Sequence, residues 1–477
     1  LRAFFDGTYP AALDRIPIEM RPLRKASTRC CVHRDRAIIK YRCMAVLGFS
    51  VEEETDELTR LSEYGRKALT RQKVEWPLLT VLDEACHGCI RAQYMVTNAC
   101  HQCMDRPCKM NCPKEAISID RGRAQIDEKK CVNCGICAKV CPYHAVVRIP
   151  IPCEEACPVQ AIKTDEHGKE DIHYEECIFC GKCMRACPFG AVMERSQVID
   201  VLRHIKEGVE VIALVAPAIV GQFLQEPTEE ALGKVVAALQ GLGFAHVAEV
   251  ATGADKVAAH EADEFVERMK DGAAFMTSSC CPAYTESVEK HVPEVKPFVS
   301  STKTPMHVTA AHLRQQYPKA KLVFIGPCVA KRKEALDDEF VDFVLTFEET
   351  AALFDAKFSK CEAKPLESDP RNLAPFDLSA MIPAPPLLTA NCEGRSFPAT
   401  GGVTKAIKAY VARRCELRAV SIDGLDKKSL RLLSAFAKGN CNGNFVEVMG
   451  CRGGCVAGPG VVADDKKSTR TINSLAE

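Results

Sequence analysis

Two rhythms of apolar and polar residues run along the chain. From 209 onward, short β-rich apolar runs alternate with amphipathic stretches. Val209–Ala216 reads as a buried strand, and His246–Ala251, Ala273–Thr277, Leu322–Ile325 and Phe340–Thr346 read as further strands. Between them, 228–242 and 255–270 carry helical spacing. The first of these is entered through Pro227-Thr228, with Glu229 and Glu230 in an opening turn where negative charge suits the helix dipole. The alternation predicts an α/β region. Nearer the start, Leu58, Leu61, Tyr64, Ala68 and Leu69 recur at helical intervals and predict one helix from Val51 to about Lys73, packed on the rest. Residues 365–398 are Pro-rich and read as irregular, and 464–469 read as a polar tail. Between 80 and 195 neither rhythm holds, because cysteine sets the spacing instead.

Composition narrows the class. At roughly 150 residues per domain, 477 residues suggest about three domains. Lys and Arg together number 63, as do Asp and Glu, so the net charge is zero and argues against a nucleic-acid or anionic-membrane binder. No run of apolar residues is long enough for a transmembrane helix, and 47% apolar content excludes a disordered chain. The opening Leu1-Arg2-Ala3-Phe4-Phe5 lacks an initiator Met and reads as a trimmed end, with no signal peptide in view. The 28 cysteines divide the sequence: three in 1–79, sixteen in 80–195 and nine in 196–477. These ranges are the expected domains: an N-terminal helical extension, a cysteine-rich domain and an α/β domain.

Cys131-x2-Cys134-x2-Cys137-x3-Cys141-Pro142 is the bacterial ferredoxin run, and Cys177-x2-Cys180-x2-Cys183-x3-Cys187-Pro188 repeats it. Three closely spaced thiolates wrap one [4Fe–4S] cubane, and the fourth, before proline, reaches the neighbouring cluster. Cys100-x2-Cys103-x4-Cys108-x3-Cys112-Pro113 has a longer middle spacer. Cys153-x3-Cys157-Pro158 is a back half alone, and Cys86-x2-Cys89 a front half alone. Sixteen thiolates suffice for four clusters. The swap rule groups Cys100, Cys103 and Cys108 with Cys141, and Cys131, Cys134 and Cys137 with Cys112. It groups Cys177, Cys180 and Cys183 with Cys157, and Cys86, Cys89 and Cys153 with Cys187. Ala116-Ile117, Ala145-Val146, Ala161-Ile162 and Ala191-Val192 each follow a Cys-Pro, so one unit recurs four times. Zinc ribbons would want isolated CxxC pairs and give no reason for the Cys-Pro endings. A disulfide scaffold belongs to short secreted chains. Residues 86–192 therefore resemble two tandem two-cluster ferredoxins, an electron wire that needs redox chemistry at one end.

Three further cysteine motifs stand in the last region: Thr277-Ser278-Ser279-Cys280-Cys281-Pro282, then Gly326-Pro327-Cys328-Val329-Ala330-Lys331-Arg332-Lys333-Glu334, then Glu447-Val448-Met449-Gly450-Cys451-Arg452-Gly453-Gly454-Cys455. The first two follow predicted strands, where α/β folds put their sites. In order and wording the three closely resemble the signature motifs of the [FeFe]-hydrogenases, the iron-only hydrogenase family. The resemblance implies an α+β fold, with tandem two-cluster ferredoxin-like modules followed by a two-lobed α/β H-cluster domain of small mixed sheets flanked by helices. It implies reversible conversion of two protons and two electrons to H2. The cofactor would be an H-cluster, a [4Fe–4S] cubane joined to a diiron unit carrying CO, cyanide and azadithiolate, alongside four [4Fe–4S] clusters. Cys281, Cys328, Cys451 and Cys455 would hold the cubane, with Cys455 bridging to the diiron unit. Lys331 would hydrogen-bond one cyanide, since an ammonium suits an anionic ligand in a dry site. Ala216-Pro217 would face the other, Met449 would pack beside the bridging ligands, and Phe397 with Thr400-Gly401-Gly402 would form a pocket loop. Read without the family, Lys331 is a solvated residue of a Lys-Arg-Lys run.

A proton route is implied as well. It runs through Glu264, Ser300, Glu261 and Cys280, groups that donate and accept in turn. Glu261 and Glu264 sit three apart on one predicted helix and share a face. A solvated helix face is the plainer reading of that spacing. The implied partners are a ferredoxin or similar electron carrier, H2 and protons, and cofactor maturation proteins. Oxygen sensitivity implies an anaerobic cytoplasm. Ala283-Tyr284 after the CCP triplet, Gly326 before the PC pair and Ala457-Gly458-Pro459-Gly460-Val461 after the last cysteine depart from the usual pattern and fit the divergent branch called group B. Upstream [2Fe–2S] and His-ligated cluster domains are not evident. Two other readings stand beside turnover: an H2 sensor using the same cluster, and a Narf-like iron–sulfur assembly protein. Cys30, Cys31, Cys43, Cys361, Cys392, Cys415 and Cys441 receive no role and read as buried or free thiols.

Overall fold

The computed structural model describes residues 1–23, 31–86, 89, 93–165, 168–223, 226–359, 378, 381–411 and 414–475. Cys30 and Cys361 lie outside the described residues. The N-terminal segment is helical, with Val32–Val46 and Leu61–Thr70 its longest helices. The expected 51–73 helix is confined to Leu61–Thr70. Upstream, Glu52 is claimed by the strand beside it: its carboxylate accepts from the Thr80 hydroxyl (2.6 Å) and the Val81 N–H (3.0 Å), and the Val51 N–H donates to Thr80 Oγ1. Those side-chain bonds replace helical ones over 51–60.

The cysteine-rich part is nested. β1 (Leu79–Val81) leads into an inner module. β2 (Tyr94–Val96) opens an outer module, whose hairpin is β3 (Ile117–Asp120) and β4 (Arg123–Ile126), and β5 (Val146–Arg148) closes it by pairing antiparallel with β2. The chain then returns to the inner module through the hairpin β6 (Ile162–Thr164) and β7 (Glu170–Ile172). β8 (Val192–Glu194) closes that module, antiparallel to β1. Gly181 follows Cys180 at φ 70°, the left-handed region that glycine enters without strain, and a Cβ there would meet Pro459 at 2.7 Å.

Two small sheets carry the rest. β9 (Val211–Val215), β10 (His246–Glu249), β12 (Lys321–Gly326) and β13 (Phe343–Thr346) form one, in the order β10-β9-β12-β13. β11 (Met276–Thr277), β14 (Ala419–Asp423) and β15 (Phe445–Met449) form the other, in the order β11-β15-β14. Helices flank both, as expected. Their strand pairs are all parallel rather than mixed, and buried parallel strands read as continuous apolar runs, as β9 does. Helix Glu229–Leu242 starts at Thr228, whose hydroxyl caps Ala231 N–H, and stops at Gly243 with φ 113°.

Several expected edges moved. Helix Ala251–Lys270 starts four residues before Asp255. The strand expected at 273–277 is only Met276–Thr277. The one expected at 340–346 begins at Phe343, because Asp338 Oδ1 accepts from the Phe340 and Val341 N–H groups. The expected polar tail is helix Asp465–Leu475, with Ser468 and Thr471 buried. Within the stretch read as irregular, Cys392–Ser396 is a short helix.

Residues 1–79 share a core with the first sheet. Phe4, Leu13, Met44 and Tyr64 join the cluster built on Val211–Val215. Arg71 holds the fully buried Asp200 with two bonds, at 3.0 and 2.6 Å. Among the described residues, no helix is long and apolar enough to cross a membrane.

Candidate functional site

The structure brings the sixteen thiols of the nested modules together in four groups. Cys108 stands within electrostatic reach of Cys100, Cys103 and Cys141. Cys112, Cys131, Cys134 and Cys137 line one small cavity. Cys157, Cys177, Cys180 and Cys183 line another. Cys86, Cys89 and Cys153 gather around Cys187, with Cys86 and Cys89 reaching across the inserted outer module. Burial is the main influence on the inner thiols and pushes Cys177, Cys180 and Cys183 up, with Cys157 beside all three adding to it. Thiols crowded this way are costly as bare thiolates and suit a cationic iron–sulfur core. Among the described residues, no three His, Cys, Asp or Glu side chains converge on a single ion.

The three C-terminal motifs meet at one largely apolar cavity of about 100 Å³. Each wall begins where a parallel strand ends: Ala216-Pro217 after β9, Cys280-Cys281 beyond β11, Pro327-Cys328 after β12 and Gly450-Cys451 after β15. Cys455, Lys331, Met449 and Phe397 complete the expected set at the same cavity, and Cys180 of the inner module borders it as well. Burial pushes Cys328, Cys451 and Cys455 upward, and their nearness to one another adds to it.

Lys331 is not a solvated member of its run. It is buried on helix Ala330–Asp337, with Nζ 2.7 Å from Glu334 Oε2, and Glu334 also accepts from the Thr304 hydroxyl. Burial works against the ammonium, yet Glu334 outweighs it and holds the lysine above its ordinary value, so it stays charged. Its two neighbours go elsewhere. Arg332 is fully buried between Glu194 and Glu349, while Lys333 pairs with Asp337. Burial pushes Glu194 up to about 7 against the pull of Arg332.

Glu261 and Glu264 share a face of helix Ala251–Lys270 but sit in opposite environments. The Ser300 hydroxyl donates to Glu264 Oε2 at 2.6 Å, the Ser301 hydroxyl and N–H donate to Oε1 at 2.9 Å, and Arg268 lies 2.6 Å away. Burial raises Glu264, but these donors outweigh it and hold the carboxyl below the usual range. Glu261 is fully buried. Its Oε1 accepts from the Ser279 N–H (3.1 Å) and hydroxyl (3.2 Å), while Oε2 has no hydrogen-bond partner. Burial pushes it up to about 7. Ser300, bonded to Glu264, also lies beside Glu261, and burial next to Glu261 pushes the Cys280 thiol well up. Two acids three residues apart are thus split, one ionised and one near neutral. A second cavity of about 340 Å³, lined by Ser279, Ser300–Thr304 and Glu334, opens beside them.

Sequence reasoning missed several parts. Ser279, not Cys280, is the group bonded to Glu261. Ala254, Pro305, Met306 and Phe324 line the apolar cavity. The Phe324 ring fills the space over Gly326, where a Cβ would stand 2.4 Å from it. The signal available was Phe324 two residues before Gly326 on the same strand face.

Comparison with known proteins gives a consistent family. The model for "Iron only hydrogenase large subunit, C-terminal domain" matches residues 209–459. A 4Fe-4S dicluster domain model matches 152–191, and a 4Fe-4S binding domain model matches 124–147. The chain is 30% identical over 410 residues to the periplasmic [Fe] hydrogenase large subunit of Nitratidesulfovibrio vulgaris, covering 74% of this chain and 90% of that protein. It is 28% identical over 275 residues to iron hydrogenase 1 of Clostridium pasteurianum, covering 48% of this chain and 45% of that one. Among solved structures, a single-residue variant of the [FeFe]-hydrogenase HydA1 of Chlamydomonas reinhardtii aligns over 59% of this chain and 88% of its own, at 21% identity and a TM-score of 0.43.

Proposed function

Since the chain belongs to the iron-only hydrogenase family, we propose that it interconverts H2 with two protons and two electrons, relaying the electrons through iron–sulfur clusters to a ferredoxin-like carrier. The observation that carries this reading is the single apolar cavity that joins four thiols from three distant motifs to a buried, charged lysine.

The residues fit the family's cofactor. Cys281, Cys328, Cys451 and Cys455 would hold the cubane, with Cys455 shared with the diiron unit. Lys331 would donate to one cyanide, and the Ala216-Pro217 backbone would face the other. Met449 and Phe397 would exclude water from the bridging ligands. The wall is also cut to size, because a Cβ on Gly450 would stand 3.0 Å from the Cys281 sulfur. When bound, the group would supply the redox chemistry of H2 formation or splitting.

The protein supplies the proton path. Glu264 lies nearest solvent and is ionised, so it collects a proton. The Ser300 hydroxyl passes it on by donating one proton as it accepts another. Glu261 holds it, because burial keeps that carboxyl neutral up to about pH 7. From Glu261 the proton would pass to Cys280 at the cavity wall, whose thiol lies within electrostatic reach of that carboxyl. The four thiol groups would hold four [4Fe–4S] clusters, and the Cys157, Cys177, Cys180 and Cys183 group adjoins the apolar cavity because Cys180 lines both.

The test is anaerobic infrared spectroscopy of protein loaded with the diiron cofactor, followed by H2 evolution from reduced viologen. CO and cyanide bands with turnover are expected. Bands with almost no turnover would turn the reading to a sensor. No bands, with iron and sulfide sufficient for the ferredoxin-type clusters, would overturn the H-cluster assignment.

A further inference from the structure

The repeated cysteine unit allows a comparison within the molecule. In the inner module, the loop Cys177-Ile178-Phe179-Cys180-Gly181-Lys182-Cys183-Met184-Arg185 is the face seated on the hydrogenase domain. Ile178 is 1% exposed there. Lys182 Nζ donates to the Leu425 carbonyl, and Arg185 donates to the carbonyls of Ala457 (3.0 Å) and Gly458 (2.9 Å). A cluster loop of this form thus makes a tight protein–protein contact with the next redox centre.

The outer module carries the same loop, Cys131-Val132-Asn133-Cys134-Gly135-Ile136-Cys137-Ala138-Lys139, with Gly135 at φ 75° against 70° for Gly181. Here the face is uncovered. Val132, the counterpart of Ile178, is 55% exposed, and Cys134 and Lys139 are exposed too. Both loops carry cations, Lys182 and Arg185 in the inner and Lys139 in the outer, but the residues leading into them differ. The inner loop is preceded by Glu175-Glu176, the outer loop by Asp127-Glu128-Lys129-Lys130 with the two lysines adjoining Cys131, and Lys114 lines the same cavity as Val132. In a chain of zero net charge, residues 93–150 hold nine Lys and Arg against five Asp and Glu. An apolar centre with a cationic rim steers and orients an anionic partner.

We propose that the Val132–Lys139 face of the outer module is the docking site of a small acidic electron-carrier protein, seated on Val132 and held by Lys114, Lys129, Lys130 and Lys139. The inference rests on the electron-relay reading above. Each encounter moves one electron: the carrier is oxidised by one, the cluster behind the loop is reduced by one, and no bond forms or breaks. Two encounters supply the electron pair for one H2.

The experiment uses the full-length holoenzyme and measures H2 evolution driven either by a reduced, small, acidic two-[4Fe–4S] ferredoxin or by reduced viologen. The Lys129→Glu/Lys130→Glu pair and Lys139→Glu should each raise the KM for ferredoxin about tenfold or more, and the difference should shrink as salt is added. The viologen-driven rate and the iron content should match the unaltered protein. The milder Lys129→Gln/Lys130→Gln pair should move KM in the same direction by less. Lys427→Glu/Lys428→Glu, on an exposed helix of the hydrogenase domain, should leave it unchanged. A ferredoxin KM within about twofold for the first two variants, or an equal shift in the last, overturns the proposal. Lack of viologen-driven turnover in the unaltered protein would instead strike the hydrogenase reading. Docking would then be decided by calorimetric titration of the same ferredoxin onto the same variants.

Discussion

Glu261→Gln separates the cost of a buried carboxyl from its use. In the folded protein the group is raised from 4.5 to about 7 by burial. A carboxyl raised in this way favours folding only while protonated, so the stability it permits is present below about pH 4.5 and is lost as pH rises through 7. The shift of about 2.5 units corresponds to about 3 kcal/mol lost at pH 8, but only about 1 kcal/mol at pH 5. Gln keeps an oxygen to accept from the Ser279 N–H and hydroxyl, and its amide fills the place of the unpartnered Oε2. The variant should therefore be more stable, by far more at pH 8 than at pH 5. At about 2 °C per kcal/mol for a domain of over 200 residues, its thermal midpoint should rise by about 6 °C at pH 8. Turnover should fall at least about 100-fold, because an amide cannot carry the proton. Infrared difference spectra of the unaltered protein should show a protonated-carboxyl band that disappears near pH 7 and is missing from Glu261→Gln. Equal stabilisation at both pH values, or a band lost near pH 4.5, would refute a neutral Glu261.

On the proposed reading, Cys280→Ala should keep CO and cyanide bands, since the four proposed ligand cysteines are untouched, and lose most H2 evolution. Arg332→Met should cost about 3–5 kcal/mol in urea unfolding, because Glu194 and Glu349 lose the cation between them. That cost should be greater at pH 8 than at pH 6, as Glu194 is neutral below about 7. Gly450→Ala, with its Cβ 3.0 Å from the Cys281 sulfur, should lower iron per chain by one cubane's worth in metal analysis. Tyr284→Phe, which removes the 2.8 Å bond to the Thr277 hydroxyl, should cost about 1 kcal/mol in the same unfolding assay.

How far the primary structure could be read depended on range. Cluster cysteines follow a local spacing rule, so all four thiol groups could be written down in advance, including the set that bridges the outer module. Glu261 and Glu264 were visible as a helix face, but their opposite electrostatics depend on Ser279 and Ser300 from other elements. Cavity wall residues such as Phe324, Ala254 and Met306 look like ordinary core residues, since local pattern cannot say whether an apolar side chain meets protein or a cofactor. Strand β15 went unread because Glu447 interrupts its apolar run. That carboxylate is buried only because the Gly401 and Thr404 N–H groups reach it from a distant loop. The 51–60 stretch failed for a related reason, with Glu52 bonded to a strand almost thirty positions away.

The nesting of one module inside another has a consequence for biosynthesis. A chain emerging from its N-terminus completes the two outer thiol sets once Cys141 is out, with Cys86 and Cys89 still lacking Cys153 and Cys187. On the proposed ligand sets, iron loading can therefore begin in the outer module and close inward, with the cavity last, because its set includes Cys455. While residues 90–187 emerge, Cys86 and Cys89 wait as free thiols beside a completed neighbouring set. Their pairing with Cys153 and Cys187 is thus the one step of the nested part that must wait for a segment on the far side of another module.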